Sequence, residues 1–224
     1  MNKTVLMAWS GGKDSTLALA ALRADPRVTV VGLLTTVTPT YDRVSIHGIR
    51  RSILAAQADA LALPVFEAAL EPGTDNAGYE AAWRDAFERA QRAVGPAHAI
   101  AYGDLFLEDV RAYREAQVAT LGVGAEFPLW GQNTREVAER FVAAGYEAYL
   151  TCVDTTLLAA EFAGRRYDAA LLADLPVDVD PCGERGEFHT CVVNGPLFRR
   201  GIAVRVGERV RREGRFEYCD LMHQ

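Results

Sequence analysis

The sequence contains no apolar run long enough to cross a membrane. The longest runs, residues 4–9 and 28–34, fall far short of the roughly 18 to 20 residues that a bilayer span requires. The N-terminal segment also lacks the longer apolar region and the small-residue cleavage site of a secretory signal. These features predict a cytoplasmic protein without membrane segments.

Paired cysteines and lysines are scarce as well. The four cysteines lie far apart and form no CxxC motif, which argues against a disulfide framework, a zinc knuckle or a thioredoxin-like site. Only Lys3 and Lys13 are lysines among the 24 basic residues. Lysine has therefore been kept at very few positions, and one of them lies in the most conspicuous motif of the chain.

The charge is acidic overall but unevenly distributed. The net charge of -6 opposes indiscriminate attraction to a polyanion, so nucleic acid is not the expected partner. Residues 199–215 nevertheless carry seven arginines against two glutamates. This segment is either a solvated strand face or a docking surface for an acidic macromolecule. The sequence leaves open whether the chain forms a homo-oligomer.

Hydrophobic periodicity predicts an α/β fold with a parallel sheet. Apolar strand patterns alternate with amphipathic helix patterns through the first half of the chain, as expected for right-handed crossovers. The predicted strands are residues 4–9, 28–37, 65–70 and 98–103, and the predicted helices are residues 15–23, 49–63, 76–94 and 108–121. We therefore predict a nucleotide-binding, Rossmann-like domain over residues 1–127.

The regular alternation of strand and helix patterns ends after residue 127. A helix over residues 134–144, a strand over residues 147–153 and a turn-rich segment predict a smaller α+β domain over residues 128–224. Residues 202–218 alternate valine and arginine about Gly207-Glu208, a pattern typical of a β-hairpin that turns at those two residues.

The string SGGKDS joins the first predicted strand to the first predicted helix. Its glycines let the backbone turn tightly, and the start of the helix offers unpaired N–H donors with a partial positive charge, so an anion is expected there. Lys13 would add a point charge, and Asp14 would cap the helix or bind a phosphate-linked Mg²⁺. The spacing is not that of a Walker A loop. The residues concerned are Ser10, Gly11, Gly12, Lys13, Asp14 and Ser15.

This string is the signature of the PP-loop ATP pyrophosphatases, and further strings narrow the resemblance. In order and separation they resemble the diphthine-ammonia ligase family of N-type ATP pyrophosphatases, and the match covers essentially the whole chain. The strings are HGIR at residues 47–50, YGD at 102–104, LED at 107–109, FPLWG at 127–131, CVDT at 152–155 and DPCGERGEFHT at 180–190.

The resemblance implies a PP-loop domain followed by a smaller substrate-side domain. It implies ATP as a substrate, with residues 10–15, Gly103 and Asp104 near the nucleotide and with Asp14 and Asp104 as ligands of Mg²⁺. It further implies an adenylation reaction in which Lys13, Asp14 and Glu187 take part. The residues expected on the substrate side are His47, Cys182, Gly183, Glu184, Gly186, Glu187, His189 and Thr190.

The expected reaction joins ammonia to a carboxylate. The carboxylate would attack the α-phosphorus of ATP, pyrophosphate would leave, and ammonium would supply the amine that displaces AMP, with Glu187 or Glu184 taking a proton. The acceptor is a modified protein side chain or a small metabolite, because this chain reads GERGEFHT where family members that modify the translation factor read GEGGEYET-like sequences. Two alternatives remain: a tRNA-modifying PP-loop enzyme, and a nucleotide-binding regulator without turnover.

Overall fold

The computed structural model describes residues 2–224 and shows an α/β fold with two sheets. The helices are α1 (Lys13–Ala24), α2 (Arg51–Leu61), α3 (Asn76–Val94), α4 (Glu108–Ala119), α5 (Thr134–Ala143) and α6 (Ala169–Asp174). The strands are β1 (Lys3–Ala8), β2 (Val28–Thr38), β3 (Arg43–Val44), β4 (Val65–Ala69), β5 (Ala99–Ala101), β6 (Gly124–Glu126), β7 (Glu147–Asp154), β8 (Phe188–Asn194), β9 (Val204–Arg212) and β10 (Phe216–His223). Across residues 2–224, no helix combines the length and apolar character that a membrane span requires.

The first sheet is mostly parallel, as the alternating pattern predicts. Its parallel strands run in the order β4-β2-β1-β5-β6, and the two-residue β3 pairs antiparallel with the end of β2. Because the strands are parallel, their carboxyl ends meet at one edge of the sheet, where ligands of such folds bind. The segments after β1, β2 and β5 all emerge at this edge.

The side chains of strand β1 show that this sheet is covered on both faces. Val5 and Met7 pack into one apolar cluster, whereas Leu6 between them packs into the other. Side chains alternate across a strand, so a continuous apolar run needs helices on both sides. Helix α3 covers one face with Trp83 and Phe87.

The second sheet is antiparallel, with the order β8-β7-β10-β9. It contains only strands from residues 147–223 and is packed by α5 and α6, giving the smaller second part of the fold. Its core is continuous with that of the first sheet, because Phe141, Leu150 and Val192 belong to the same apolar cluster as Val5 and Met7. The two parts therefore share an interior.

The predicted hairpin forms, but the predicted turn is wrong. Gly207 and Glu208 lie within β9, and the chain reverses at residues 213–215. The register shifts between Cys219 and Leu221 of β10, opposite Gly207. A strand irregularity accommodates an internal glycine, which is why the glycine signal was mistaken for a turn.

Candidate nucleotide and acceptor site

The loop at residues 10–15 connects β1 to α1 at the carboxyl edge of the first sheet. Gly11 has a φ of +78°, a left-handed conformation that favours glycine, and a Cβ there would lie 2.8 Å from the Gln57 Oε1. A Cβ on Gly12 would lie 3.0 Å from the backbone oxygen of Thr190. The two glycines therefore allow the loop to lie against neighbouring chain.

The second sheet holds this loop in place. The N–H of Val192 donates to the Gly11 carbonyl oxygen at 2.9 Å, and the N–H of Lys13 donates to Thr190 Oγ1 at 3.1 Å. Gln57, which is fully buried, donates from Nε2 to the Gly11 and Val192 carbonyl oxygens at 3.0 and 2.7 Å. The N–H groups of Asp14 and Ser15 lie in the first turn of α1, where an α-helix supplies no internal acceptor.

Lys13 begins α1 and is only 2% exposed. Its Nζ donates to Asp14 Oδ2 at 2.8 Å and to the carbonyl oxygen of Cys182. Burial lowers the pKa of Lys13, but Asp14 and Cys182 raise the pKa by more, so the ammonium stays charged. The structure thus fixes the lysine between the loop and the segment at residues 180–187, which carries Cys182 and Glu184.

Gly103 and Asp104 follow β5 and lie directly against the loop. A Cβ on Gly103 would come within 2.8 Å of the backbone of Asp14 and Ser15, so only glycine permits this approach. Within residues 2–224, neither Asp14 Oδ1 nor Asp104 Oδ2 has a hydrogen-bond partner, although both atoms are buried. Burial raises the pKa of both carboxyls, against the opposing effects of Lys13 on Asp14 and of Arg114 on Asp104.

Two such carboxylates fit the requirements of Mg²⁺. This ion usually takes one or two protein carboxylates and completes its shell with phosphate oxygens and waters. In the described part of the chain, no group of three or more metal-ligating side chains is present. The donor set suits a nucleotide-bound Mg²⁺ and not a cation held by protein ligands alone.

A cleft of about 920 Å³ opens above these residues. The loops at the carboxyl edge of the first sheet and the start of α1 contribute Ser10, Lys13, Asp14, Gly103 and Asp104. The segment before β8 contributes Cys182, Gly183, Glu184 and Gly186, and β8 itself contributes His189 and Thr190. The structure therefore brings together the residues that sequence reasoning had assigned separately to nucleotide and acceptor.

Glu184, in the segment before β8, is a carboxylic acid that faces the cleft. Its Oε1 accepts the N–H of Leu105 at 2.7 Å, which links the substrate-side segment to the first sheet. Burial raises the pKa of Glu184 to about 7, with Asp14 and Asp104 adding to the effect against the Leu105 hydrogen bond. A carboxyl that titrates near neutrality can exchange a proton at physiological pH.

Glu187, which the sequence analysis places on the substrate side, does not line this cleft. Glu187 is 3% exposed, and its two oxygens accept the N–H groups of Asp180 and Arg185 at 2.9 and 3.0 Å. The carboxylate closes the turn of its own segment. Two glutamates three residues apart look alike in the sequence, and only the turn between them decides which one points inward.

His47 and His189 meet inside the cleft, with ring centroids 4.4 Å apart. Burial lowers the pKa of His189 to about 4, with a further contribution from Lys13. Burial and the neighbouring His189 lower the pKa of His47 too. Both rings are neutral at physiological pH.

Cys182 is buried at the cleft wall, where its thiol donates to the carbonyl oxygen of Thr134 at 3.2 Å. Burial raises the pKa of this thiol against the opposing effect of Lys13. The thiolate, the nucleophilic form, is therefore disfavoured.

Comparison with known protein families agrees with the fold and the motifs. The diphthamide synthase N-terminal domain matches residues 2–124, and the diphthamide synthase C-terminal domain matches residues 133–222. The chain belongs to the diphthamide synthase family. This confirms the resemblance carried by the SGGKDS and GERGEFHT strings. Among curated proteins we found no match.

In this diphthamide synthase family member, the cleft wall and the support of the loop include further residues that sequence reasoning missed. Gln57 supports the loop, and Trp83, Tyr102 and Arg114 line the deep wall. Tyr102 lies in the YGD string beside Gly103 and Asp104, which the sequence analysis predicts near the nucleotide, so its position in that string could have indicated a place in the cleft. Trp83 and Arg114 lie in amphipathic helices, where the sequence cannot show which polar atoms the fold turns inward.

Proposed function

We propose that this chain is an ATP-dependent amide ligase of the diphthine-ammonia ligase type. It would adenylate an acceptor carboxylate with release of pyrophosphate, after which ammonia would displace AMP and leave an amide. The observation that carries the proposal is the shared cleft, in which the SGGKDS loop and Glu184 of the substrate-side segment face the same volume.

The loop supplies what a departing pyrophosphate requires. The N–H groups in the first turn of α1 and the Lys13 ammonium would stabilise the negative charge that accumulates on the leaving group. The Lys13 side chain is held by Asp14 and Cys182, so its position is set before a ligand arrives. Preorganised charge of this kind lowers the barrier without reorganisation during the reaction.

Asp14 and Asp104 would hold Mg²⁺ through the carboxylate oxygens that have no partner among the described residues. The bound ion would neutralise phosphate charge and orient the α-phosphoryl group. The lack of a side chain at Gly103 lets the segment before Asp104 lie against Asp14, because a Cβ on Gly103 would come within 2.8 Å of the Asp14 backbone.

Glu184 is our candidate for the group that accepts a proton from the attacking amine. Ammonium must lose a proton to become nucleophilic, and a carboxyl with a pKa of about 7 can take that proton at neutral pH. The neutral rings of His47 and His189 would line the acceptor side. This assignment replaces Glu187 with Glu184.

The tRNA-modifying alternative has weaker support in the fold. Three of the seven arginines of residues 199–215 are already paired with carboxylates: Arg200 with Asp59, Arg211 with Glu217 and Arg215 with Asp154. Pairing reduces the positive field that would attract a polyanion.

Product analysis tests the proposal. The protein would be incubated with ATP, Mg²⁺, ammonium and an elongation factor that carries diphthine, and the products would be separated by chromatography. We expect AMP and pyrophosphate in an ammonium-dependent reaction. Formation of ADP and phosphate would contradict the proposed chemistry.

Lys13→Met tests the loop, with Lys3→Met as the matched control. Lys3 pairs with Glu126 away from the cleft. We expect Lys13→Met to lower the rate of AMP formation by about 10²- to 10³-fold, the usual effect of removing one stabilising donor, whereas Lys3→Met should retain activity. Circular dichroism would establish that both variants fold. Normal turnover by folded Lys13→Met would show that Lys13 does not bind phosphate.

A further inference from the structure

The deep wall of the cleft, between α3, α4 and the end of β5, holds buried donors that the steps above do not use. Arg114 Nε, Trp83 Nε1 and the Tyr102 hydroxyl are all buried, and none has a hydrogen-bond partner among residues 2–224. All three side chains line the cleft. A buried polar group without a partner destabilises the fold, so three such donors together indicate a ligand that supplies the acceptors.

These donors form a connected group. The guanidinium of Arg114 lies 5.0 Å from the centroid of the Tyr102 ring and donates from Nη1 to the Tyr79 hydroxyl at 3.2 Å. The ring of Tyr79 is 6.3 Å from that of Trp83. Trp83 and Tyr102 are only 4% and 2% exposed, so their positions are fixed by packing.

The local charge at Arg114, and not the charge of the whole cleft, indicates that the ligand of this wall is an anion. Three cationic residues line the cleft: Lys13, Arg114 and Arg212. Lys13 is paired with Asp14, and Arg212 is exposed at the rim. Arg114 forms no salt bridge within the described part of the chain, and its hydrogen-bonded partner is a neutral phenol. A partly buried guanidinium that makes no salt bridge is stabilised when an anion binds to it.

Asp104 attracts Arg114 electrostatically, but the two side chains form no salt bridge among the described residues. A cation bound at Asp104 would cancel the remaining attraction between the two. The positive charge of Arg114 would then be available to a ligand at the same time as the nucleotide site is filled.

We propose that Arg114, Trp83 and Tyr102 form an anion-binding subsite that receives the carboxylate of the acceptor. The proposal rests on the proposed function and deepens it by placing the reacting group of the second substrate. Planar guanidinium groups bind carboxylates through paired N–H donors, and the indole N–H and phenol O–H add directional contacts. The nucleotide phosphates are the other possible source of an anion, and the experiment separates the two.

Acetate and inorganic phosphate are suitable probes because neither requires knowledge of the acceptor. Binding would be measured by saturation-transfer NMR of the acetate methyl group and by ³¹P NMR of phosphate, at constant ionic strength in chloride. Each titration would be done with Mg²⁺ alone and with Mg²⁺ plus saturating α,β-methylene-ATP, which cannot be cleaved between the α and β phosphates.

The variants are Arg114→Gln, Trp83→Phe and Tyr102→Phe, with Arg111→Gln as the control. Arg111 lies on the same helix, but its guanidinium stacks on Trp130 and bonds Glu115. We expect saturable acetate binding that persists when the nucleotide analogue is bound, at least tenfold weaker in Arg114→Gln and unchanged in Arg111→Gln. Trp83→Phe and Tyr102→Phe should each weaken acetate binding severalfold.

Tyr102→Phe also distinguishes a ligand donor from a structural one. If the hydroxyl has no partner in the free protein, its removal should leave the melting temperature unchanged or raise it. A large loss of stability in free Tyr102→Phe would show that the hydroxyl is used internally and would overturn its assignment to the subsite.

Three further results would refute the proposal. The first is the absence of saturable acetate binding to the wild type, and the second is equal acetate binding by all variants. The third is displacement of acetate by the nucleotide analogue, together with a loss of nucleotide affinity in Arg114→Gln as large as its loss of acetate affinity. The last result would assign the subsite to a nucleotide phosphate. None of them depends on whether pyrophosphate is formed, so failure of the subsite and failure of the ligase reaction can be told apart.

Discussion

Replacing Glu184 with glutamine should remove a pH-dependent loss of stability. The pKa of this carboxyl is raised from 4.5 to about 7 in the folded protein. A raised pKa means that the folded state holds the proton more tightly than the unfolded state, so the stabilising contribution is present below about pH 4.5 and is lost as the pH rises through about 7. Glutamine carries no proton to lose, and its Oε1 can still accept the N–H of Leu105.

The magnitude follows from the size of the shift. At about 1.4 kcal/mol per pKa unit, the full shift corresponds to about 3 kcal/mol. Glu184 is partly exposed, and solvent screening reduces the effect, so we expect the stability of Glu184→Gln relative to wild type to rise by about 2 kcal/mol between pH 4.5 and pH 8.

Wild type and Glu184→Gln must be compared at each pH, because the buried histidines change the stability with pH in the opposite direction. The pKa of His189 is lowered to about 4, so its unfolded form binds more protons, and stability increases as the pH rises from about 4 to about 6.5. His47 acts in the same direction. Both histidines are present in both proteins, so subtracting the two curves isolates Glu184.

Urea denaturation followed by circular dichroism at pH 4.5, 5.5, 7 and 8 would measure the effect, in EDTA and without nucleotide. Glu187→Gln is the matched control. It replaces one of the two carboxylate oxygens that accept backbone N–H groups and should cost about 1–3 kcal/mol. A difference between wild type and Glu184→Gln that does not vary with pH would refute the reasoning.

Three other outcomes are expected. Gly103→Ala should lose about 1–3 kcal/mol of stability and bind Mg²⁺-ATP more weakly in calorimetry, because its Cβ would meet the backbone of Asp14 at 2.8 Å. Gly124→Ala, whose Cβ would have its nearest contact at 3.7 Å, should change neither the stability nor the affinity for Mg²⁺-ATP. Gln57→Leu should lower the urea midpoint by an amount equivalent to about 3 kcal/mol, since the Gly11 and Val192 carbonyls lose a buried donor, and a midpoint equal to wild type would count against this support of the loop. All four cysteines are buried, so Ellman's reagent should label them slowly in the native protein and rapidly in urea; rapid native labelling of any one would contradict its placement.

The fold was largely predictable because its signals are local. The apolar run of β1 predicts a strand covered on both faces, and the spacing of Trp83 and Phe87 predicts the buried face of α3. These patterns depend only on the period of the backbone. The turn of the C-terminal hairpin was misplaced, because an internal glycine in a strand and a turn glycine look the same without the register.

The site was predictable where a motif carries its own chemistry. The SGGKDS string combines glycines, hydroxyls, a lysine and a carboxylate at a strand end, so its residues could be assigned without coordinates. Glu184 and Glu187 show the limit: equivalent in sequence, they differ in whether the carboxylate faces the cleft or closes its own turn.

By itself, then, the sequence determined a parallel α/β domain, a glycine-containing loop at its first strand end and membership of a family. Local periodicity and a contiguous motif suffice for these, because each depends on residues near one another along the chain. Only the tertiary structure decided that β8 holds the loop, that burial raises the pKa of Glu184 to about 7, and that Arg114 Nε is buried in the cleft wall without a hydrogen-bond partner. Burial and partners distant in sequence set these properties, and they exist only once the two sheets pack against each other.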